Sequence, residues 1–237
     1  MNKPFQFKEF SVNQDQCAMK IGTDGVLLGA WTSIESNPFS VLDIGAGTGV
    51  LSLMLAQRCD AQVIEALEID DKAYEQCVEN FEQSSWNDRL FCYHASLDEF
   101  AEEIEDTYDL IICNPPFYSE DYKTENVQRD LARFQDAMPF DHLLESVATL
   151  LSEEGSFSVV IPFSEEKQFI TLARQVSLFP NRVLHIKGNP SVAIKRSLIE
   201  FTFTEQDVDI SELIIETTRH NYTEDYINLT QDFYLKM

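Results

Sequence analysis

Val41-Leu42-Asp43-Ile44-Gly45-Ala46-Gly47-Thr48-Gly49, running on into Val50-Leu51-Ser52-Leu53-Met54-Leu55-Ala56, reads as a strand, a glycine loop and a helix. Glycine permits positive φ and lets the backbone approach a ligand closely, so this stretch opens a βαβ unit with a binding loop at the end of a parallel strand. Spacing narrows the ligand. A dinucleotide site uses GxGxxG, with the pyrophosphate on the helix N-terminus. Here the third glycine comes one residue early, and Asp43 stands two residues before the first. A carboxylate there suits an ammonium group and not a pyrophosphate, so the expected ligand carries an amino acid end.

Downstream, the second strand Val63–Leu67 ends in Glu68. An acid about 20 positions past such glycines accepts hydrogen bonds from ribose hydroxyls. Asp70 and Asp71 favour the start of a helix over 71–83. The third strand, Arg89–His94, is followed by Ala95-Ser96-Leu97-Asp98. Asp98 either takes a hydrogen bond from an adenine amine or caps the next helix, as Ser96 also can. His94 reads as an ordinary strand residue.

The fourth strand, Tyr108–Cys113, runs into Asn114-Pro115-Pro116-Phe117. Neither proline can donate to a ladder, and their fixed φ holds Asn114 extended. The result is a stiff corner bearing an amide (Asn114), a carbonyl (Pro115) and an aromatic ring (Phe117). Two acceptors beside a flat ring suit a planar group with an NH2, either a nucleobase or a side-chain amide; the plain alternative is a strand-ending turn. Tyr118 to Asp136, with Tyr118, Tyr122, Arg129 and Arg133, reads as a loop able to cover that corner.

Beyond it come a helix over Phe140–Leu151, a strand over Gly155–Pro162, a helix over Ser164–Leu178, and strands over Arg182–Lys187 and Lys195–Thr204. The last two strands, joined without a helix, predict an antiparallel hairpin at one sheet edge. Upstream, residues 5–16 have no helical period, and Thr23 or Asp24 can cap a helix over Val26–Trp31, with Gly25 at its entry. Such a helix start can also hold a carboxylate. The divisions expected are an extension over 1–36, a main domain over 37–204 and a tail over 205–237.

Composition excludes several classes. No apolar run approaches the roughly 18 residues of a membrane span, and the N-terminus has no apolar leader, so a cytoplasmic location is expected. Cys17, Cys59, Cys77, Cys92 and Cys113 form no CxxC pair, and the four histidines form no HExxH, so no metal site is expected. The net charge of −24 argues against indiscriminate binding to nucleic acid or anionic membrane. It leaves room for a local basic site, because charges are screened beyond about 8 Å at physiological salt.

Together, Asp-x-Gly-x-Gly-x-Gly after strand one, the acid after strand two and Asn-Pro-Pro-Phe after strand four resemble the S-adenosylmethionine-dependent methyltransferases of the Rossmann-like class. The Asn-Pro-Pro-[Tyr/Phe] version resembles those that methylate a planar nitrogen. Further stretches are similar to one bacterial family, the tRNA(Val) adenine N6-methyltransferases. They are Lys8-Glu9-Phe10, Cys17-Ala18-Met19-Lys20, Gly22 to Trp31, Asn80-Phe81, Lys195-Arg196-x-Leu198 and Asp232-Phe233-Tyr234-Leu235. Phe134 after Ala132-Arg133 departs from the family, where histidine is expected.

The resemblance implies an α/β fold with a seven-stranded sheet of order 3-2-1-4-5-7-6, the last strand antiparallel, and helices on both faces. It implies S-adenosylmethionine as cofactor, with Asp43 and Gly45, Gly47 and Gly49 at the methionine portion, Glu68 at the ribose and Asp98 at the adenine. Thr23, Asp24 and the rest of the 22–25 motif would close the site, and Asn114 would border both cofactor and substrate. It implies transfer to N6 of the adenosine following the anticodon, with Asn114, Pro115, Pro116 and Phe117 at the reacting base. Arg129, Arg133, Lys195 and Arg196 would face the tRNA, although these cations could also be scattered surface charges. Three other readings stay open: glutamine N5-methylation of a protein, methylation of another rRNA or tRNA base, and a non-catalytic module that binds S-adenosylmethionine.

Overall fold

The computed structural model describes residues 3–116 and 138–237. Two short paired strands, β1 (Phe5–Gln6) and β2 (Ser11–Val12), precede helix α1 (Thr23–Trp31). The main fold then alternates: β3 (Ser40–Ile44), α2 (Val50–Arg58), β4 (Val63–Glu68), α3 (Asp71–Glu82), β5 (Leu90–His94), α4 (Leu97–Glu103) and β6 (Tyr108–Cys113). After the undescribed stretch come α5 (Phe140–Leu150), β7 (Leu151–Pro162), α6 (Glu166–Gln175), β8 (Phe179–Lys187) and β9 (Arg196–Thr202). The chain ends with β10 (Asp209–Ile214), a small hairpin of β11 (Glu216–Thr218) and β12 (Asn221–Tyr222), and α7 (Glu224–Thr230).

The main sheet runs β10-β8-β9-β7-β6-β3-β4-β5. Strand β9 is antiparallel to both neighbours, and the other pairings are parallel. The expected seven-stranded sheet is therefore corrected to eight. Strand β10, from the segment read as a tail, pairs with β8, so the β8–β9 hairpin does not form the edge. The sequence hides β10 because four of its six residues, Asp209 to Glu212, are exposed. Charge on an outermost strand is how edges avoid pairing with other chains.

The central strands β3 and β6 are apolar almost throughout because both faces are covered. Alternation sends Val41, Ile64, Ala66, Leu110 and Ile112 to one core, packed with residues of α1, α2 and α3. Leu42, Ile44, Leu67, Ile111 and Cys113 go to the opposite core, packed with residues of α4, α5 and α6. Two arginines terminate helices: Arg58 donates to the carbonyls of Gly29 (2.7 Å) and Thr32 (2.8 Å), and Arg89 to those of Ala56, Cys59 and Ala61. Arg58 at Gly29 and Thr32, and Arg89 at Ala56 and Cys59, satisfy carbonyls that a helix end leaves without partners, and Arg89 also reaches the loop beyond at Ala61. The chain ends meet through a Phe7–Tyr234 bridge and Lys8 N donating to the Phe233 carbonyl (2.9 Å).

Strand β3 has β6 on one side and β4 on the other, so strand order reverses there, and the crevice beyond its carboxyl end is where such sheets bind ligands. Gly49 seats the loop at that point. Its φ is +76°, and a Cβ would lie 2.5 Å from Phe81 Cε1 and 2.8 Å from Cys77 Sγ, both on α3. Gly49→Ala is expected to lower the unfolding free energy by about 2–4 kcal/mol, from left-handed strain plus overpacking. Urea unfolding measures this, and a loss within error would mean that the loop does not depend on close packing against α3.

Candidate functional site

Residues of one parity on adjacent strands share a face. Asp43 follows Val41, Glu68 follows Ile64 and Ala66, and Asn114 follows Leu110 and Ile112, so all three belong to the face covered by α1–α3. All three also stand at carboxyl strand ends. The sheet therefore gathers two acids and an amide around the glycine loop.

Asp43 is wholly buried. Its Oδ2 accepts from Ser52 N (3.1 Å) and Ser52 Oγ (2.8 Å), whereas its Oδ1, also buried, has no hydrogen-bond partner among the described residues. Burial pushes the carboxyl up to about 7, against the two Ser52 hydrogen bonds that hold it down, and the Glu68 charge adds to the rise. Ser52 was not singled out in the sequence. Its place on the first turn of α2, nine residues after Asp43, is the only signal it offers.

The glycine loop is anchored from behind and bare in front. Gly45 N and Ala46 N donate to the Leu67 carbonyl, at 3.0 and 2.9 Å. A Cβ at Gly45 or Gly47 would meet nothing within 4 Å among the described residues, which leaves the backbone there accessible to a ligand. Glu68 reaches the loop directly: its Oε2 accepts from Gly47 N (2.7 Å) and its Oε1 from Asp70 N (2.9 Å). Each oxygen keeps a lone pair for a further donor. Asp70 caps α3, accepting from Lys72 N and Ala73 N. Ile69, between these acids, is 63% exposed, an apolar side chain left uncovered beside the loop.

Asn114 is half-buried at the strand end, with Pro115 buried and Pro116 half-buried. Its Nδ2 would lie 3.6 Å from a Cβ on Gly25, so α1 begins directly against this amide. The cap of α1 is Gly22, without a side-chain hydrogen bond, which corrects the expectation that Thr23 or Asp24 caps it. Asp24 is instead committed to Arg196, Oδ2 to Nε 2.8 Å, joining α1 to the start of β9. Two residues expected to meet different ligands thus meet each other. Arg196 Nη1 also donates to the Lys195 carbonyl (3.0 Å), and Lys195 is exposed.

Asp98 is exposed in the first turn of α4, with His142 Nδ1 3.9 Å from its Oδ2. The cap there is Ser96, in a capping box with Glu99, so Asp98 is not needed for capping. Phe117, Arg129 and Arg133, with the loop expected over 118–136, lie outside the described residues. Among the described residues no group of acids, histidines and cysteines is arranged to hold a metal ion, and no helix is long and apolar enough to cross a membrane.

A pair of residues not assigned a role in the sequence completes the site. Gln76 and Asn80, one helical turn apart on α3, are both buried. Asn80 Nδ2 donates to the Thr48 carbonyl (2.9 Å) and the Asn13 carbonyl (3.0 Å), while its Oδ1 accepts from Asn13 N (2.8 Å). Polar residues at i and i+4 between Ala73, Cys77 and Phe81, within an apolar stripe, were the signal.

Asp43 gives this site a pH signature. A carboxyl raised on folding stays protonated in the native state while the unfolded chain loses its proton, so the contribution of Asp43 to stability falls from about pH 4 to about pH 7 and is then flat. Asp43→Asn is expected to stabilise the ligand-free protein by on the order of 1–3 kcal/mol at pH 8, with the gain vanishing toward pH 4. Thermal denaturation of both proteins across that range tests it, and a pH-independent difference would rule out the linkage.

Residues 26–175 match the methyltransferase small domain family. The chain is 61% identical to a tRNA1(Val) (adenine(37)-N6)-methyltransferase of Flavobacterium psychrophilum, over 98% of this chain and all of that protein. Relatives of the same name share 62% identity in Flavobacterium johnsoniae, over 98% of this chain and all of the relative, and 46% in Bacteroides fragilis, over the whole of both. Among solved structures, a predicted O-methyltransferase from Agrobacterium tumefaciens superimposes with a TM-score of 0.69 at 16% identity, covering 89% of this chain and 96% of that one. A putative RNA methyltransferase from Pyrococcus horikoshii gives 0.57 at 17% identity, over 80% and 87%. The distant structures share the α/β methyltransferase fold, and the full-length identity carries the rest: the chain belongs to the tRNA1(Val) (adenine(37)-N6)-methyltransferase family.

Proposed function

We propose that the chain transfers a methyl group from S-adenosylmethionine to the exocyclic N6 of an adenosine in tRNA, the one following the anticodon of tRNA(Val). The observation that carries this is the convergence of Asp43, Glu68 and Asn114 on one sheet face and edge, with a buried Asp43 oxygen lacking a partner among the described residues. When bound, the cofactor supplies an electrophilic methyl carbon on a positively charged sulfur.

The residues present fit that group. Asp43 Oδ1 is an acceptor waiting for a cationic N–H donor, and an ammonium group beside it would remove the cost of burying the charge. The open backbone at Gly45 and Gly47 admits the methionine portion, and Glu68 has lone pairs left for ribose hydroxyls. Exposed Ile69 offers the adenine ring an apolar face, and Asp98 an acceptor for its amine.

At the substrate, the obstacle is that the N6 lone pair is delocalised into the ring. The Asn114 side-chain oxygen and the Pro115 carbonyl accept hydrogen bonds from its two N–H groups, which favours pyramidal nitrogen and returns electron density to it, and the methylated nitrogen then sheds one of these protons to solvent. Both acceptors sit on a proline-stiffened corner, so orientation is set before the base arrives. Phe117 stacks on the flipped base, a contact worth roughly 1–3 kcal/mol. Lys195, Arg129 and Arg133 are assigned to tRNA phosphates, whereas Arg196, held by Asp24, positions the start of α1 beside Asn114.

Incubation with methyl-labelled cofactor and tRNA, followed by nucleoside analysis, should place the label in N6-methyladenosine. Asn114→Ala is expected to cut turnover by about 10²–10³ while leaving cofactor affinity within a few fold. Full turnover in that variant would remove the amide from the mechanism, and label that survives ribonuclease would point to a protein substrate.

A further inference from the structure

The buried face of α3 carries two primary amides where apolar side chains would ordinarily sit, and an unpaired buried amide is costly. What pairs them is main chain from far upstream. Gln76 Oε1 accepts from Gln16 N (3.0 Å) and Cys17 N (3.3 Å), and its Nε2 donates to Asp15 Oδ1 (2.8 Å). Asn80 holds Asn13 by both its N–H and its carbonyl and, through the same Nδ2, the Thr48 carbonyl of the glycine loop.

The path of this segment follows the site. It starts at Asn13, tied to the glycine loop through Asn80. At Cys17 it passes beside Glu68 and Asp70: burial first, then those two charges and Asp15, push the Cys17 thiol up to about 12. Ala18, Met19 and Lys20 are exposed, and Ile21 N returns to Gln14 Oε1 (2.9 Å). The segment then enters α1, whose Gly25 abuts Asn114. It is tied to the loop at Asn13 through Asn80 and leads into α1, which meets the Asn114 corner, and from Asp15 to Ile21 no residue is fully buried. Half-buried Ile21 packs on the core at one end and Asn13 Nδ2 donates to Glu79 Oε1 (3.3 Å) at the other, but between them the attachment rests on polar contacts to the two amides, the kind of local contact that opens without global unfolding.

We propose that residues 13–21 form a strap across the mouth of the cofactor pocket, latched by Gln76 and Asn80, and that these amides are positioning residues for S-adenosylmethionine. The latched strap gives tight binding, and the cofactor exchanges when it lifts. This rests on the methyltransferase reading above and adds to it the means by which cofactor is retained.

Charge reversal within the latch tests it. Gln76→Glu keeps the acceptor for Gln16 N and Cys17 N but sets a carboxylate against Asp15, and Asp15→Asn in the same chain restores a donor. In the cofactor-free protein, Gln76→Glu should speed amide hydrogen exchange at residues 13–21. By calorimetry and stopped flow it should raise the S-adenosylmethionine Kd and dissociation rate by about tenfold, with the KM for tRNA within about twofold. The double variant should return all these values toward wild type, which a nonspecific loss of structure would not do. Asp15→Ala, at an exposed position, should shift the Kd in the same direction by about threefold, and reads the latch even if Gln76→Glu fails to fold. Faster exchange at 13–21 with unchanged cofactor affinity and dissociation overturns the proposal, as does failure of the double variant to recover or an unchanged Kd in Asp15→Ala. A wild-type protein that binds no S-adenosylmethionine overturns the methyltransferase reading instead.

Discussion

A carboxylate buried completely at the end of a central strand is costly unless both oxygens find partners. At Asp43 only one does: Ser52 satisfies Oδ2 and nothing among the described residues reaches Oδ1. The protein keeps this unfavourable arrangement at the point where strand order reverses, with the glycine backbone open beside it. A cationic ligand group would turn the cost into affinity, because the attraction would act on a wholly buried oxygen in a medium of low dielectric. A cationic group beside Asp43 would favour its ionised form, opposing the burial that holds the proton on.

Helix α3 connects that site to the rest of the chain. Its N-terminus is capped by Asp70, whose own N–H donates to Glu68. Its middle holds the main chain of residues 16 and 17 through Gln76, and its later turns support the glycine loop through Asn80, Cys77 and Phe81. One helix therefore fixes the loop, orders Glu68 and holds the segment that leads to α1. The amphipathic face usually reserved for hydrophobic contact is divided between apolar packing and main-chain recognition, which explains why glutamine and asparagine occupy buried positions on it.

Most of the alternating pattern was legible because it follows from burial on two faces. Val41 to Ile44 and Tyr108 to Cys113 have few polar residues, and the turn chemistry that ends them is explicit in glycine and proline. Asp43 and Glu68 were legible from spacing alone, since strand period and loop length decide where their side chains fall. What escaped depends on partners distant in sequence. The Asp24–Arg196 pair spans 172 positions, so helix capping was assigned to a side chain already engaged elsewhere. Strand β10 escaped because an edge strand exposed at Asp209, Ile210, Ser211 and Glu212 carries little of the periodicity that marks an inner one. Gln76 and Asn80 escaped a functional reading because polar residues on a helix ordinarily mark its wet side.

The strong negative charge and an RNA substrate are compatible only if the field is local. Charges farther than about 8 Å from a phosphate are screened at physiological salt, so most of the 41 acidic residues contribute little at the catalytic edge. At that edge the acids are largely spoken for: Asp24 is paired with Arg196, and Glu68 accepts two backbone N–H groups. Asp43 lies below the surface with a proton held to about pH 7. Lys20 and Lys195 remain exposed nearby on the strap and beside β9. Contacts that acidity does not weaken would add to phosphate attraction in holding the RNA. Those are base stacking and the accepted hydrogens of the amine, the interactions that a rigid proline corner is suited to make.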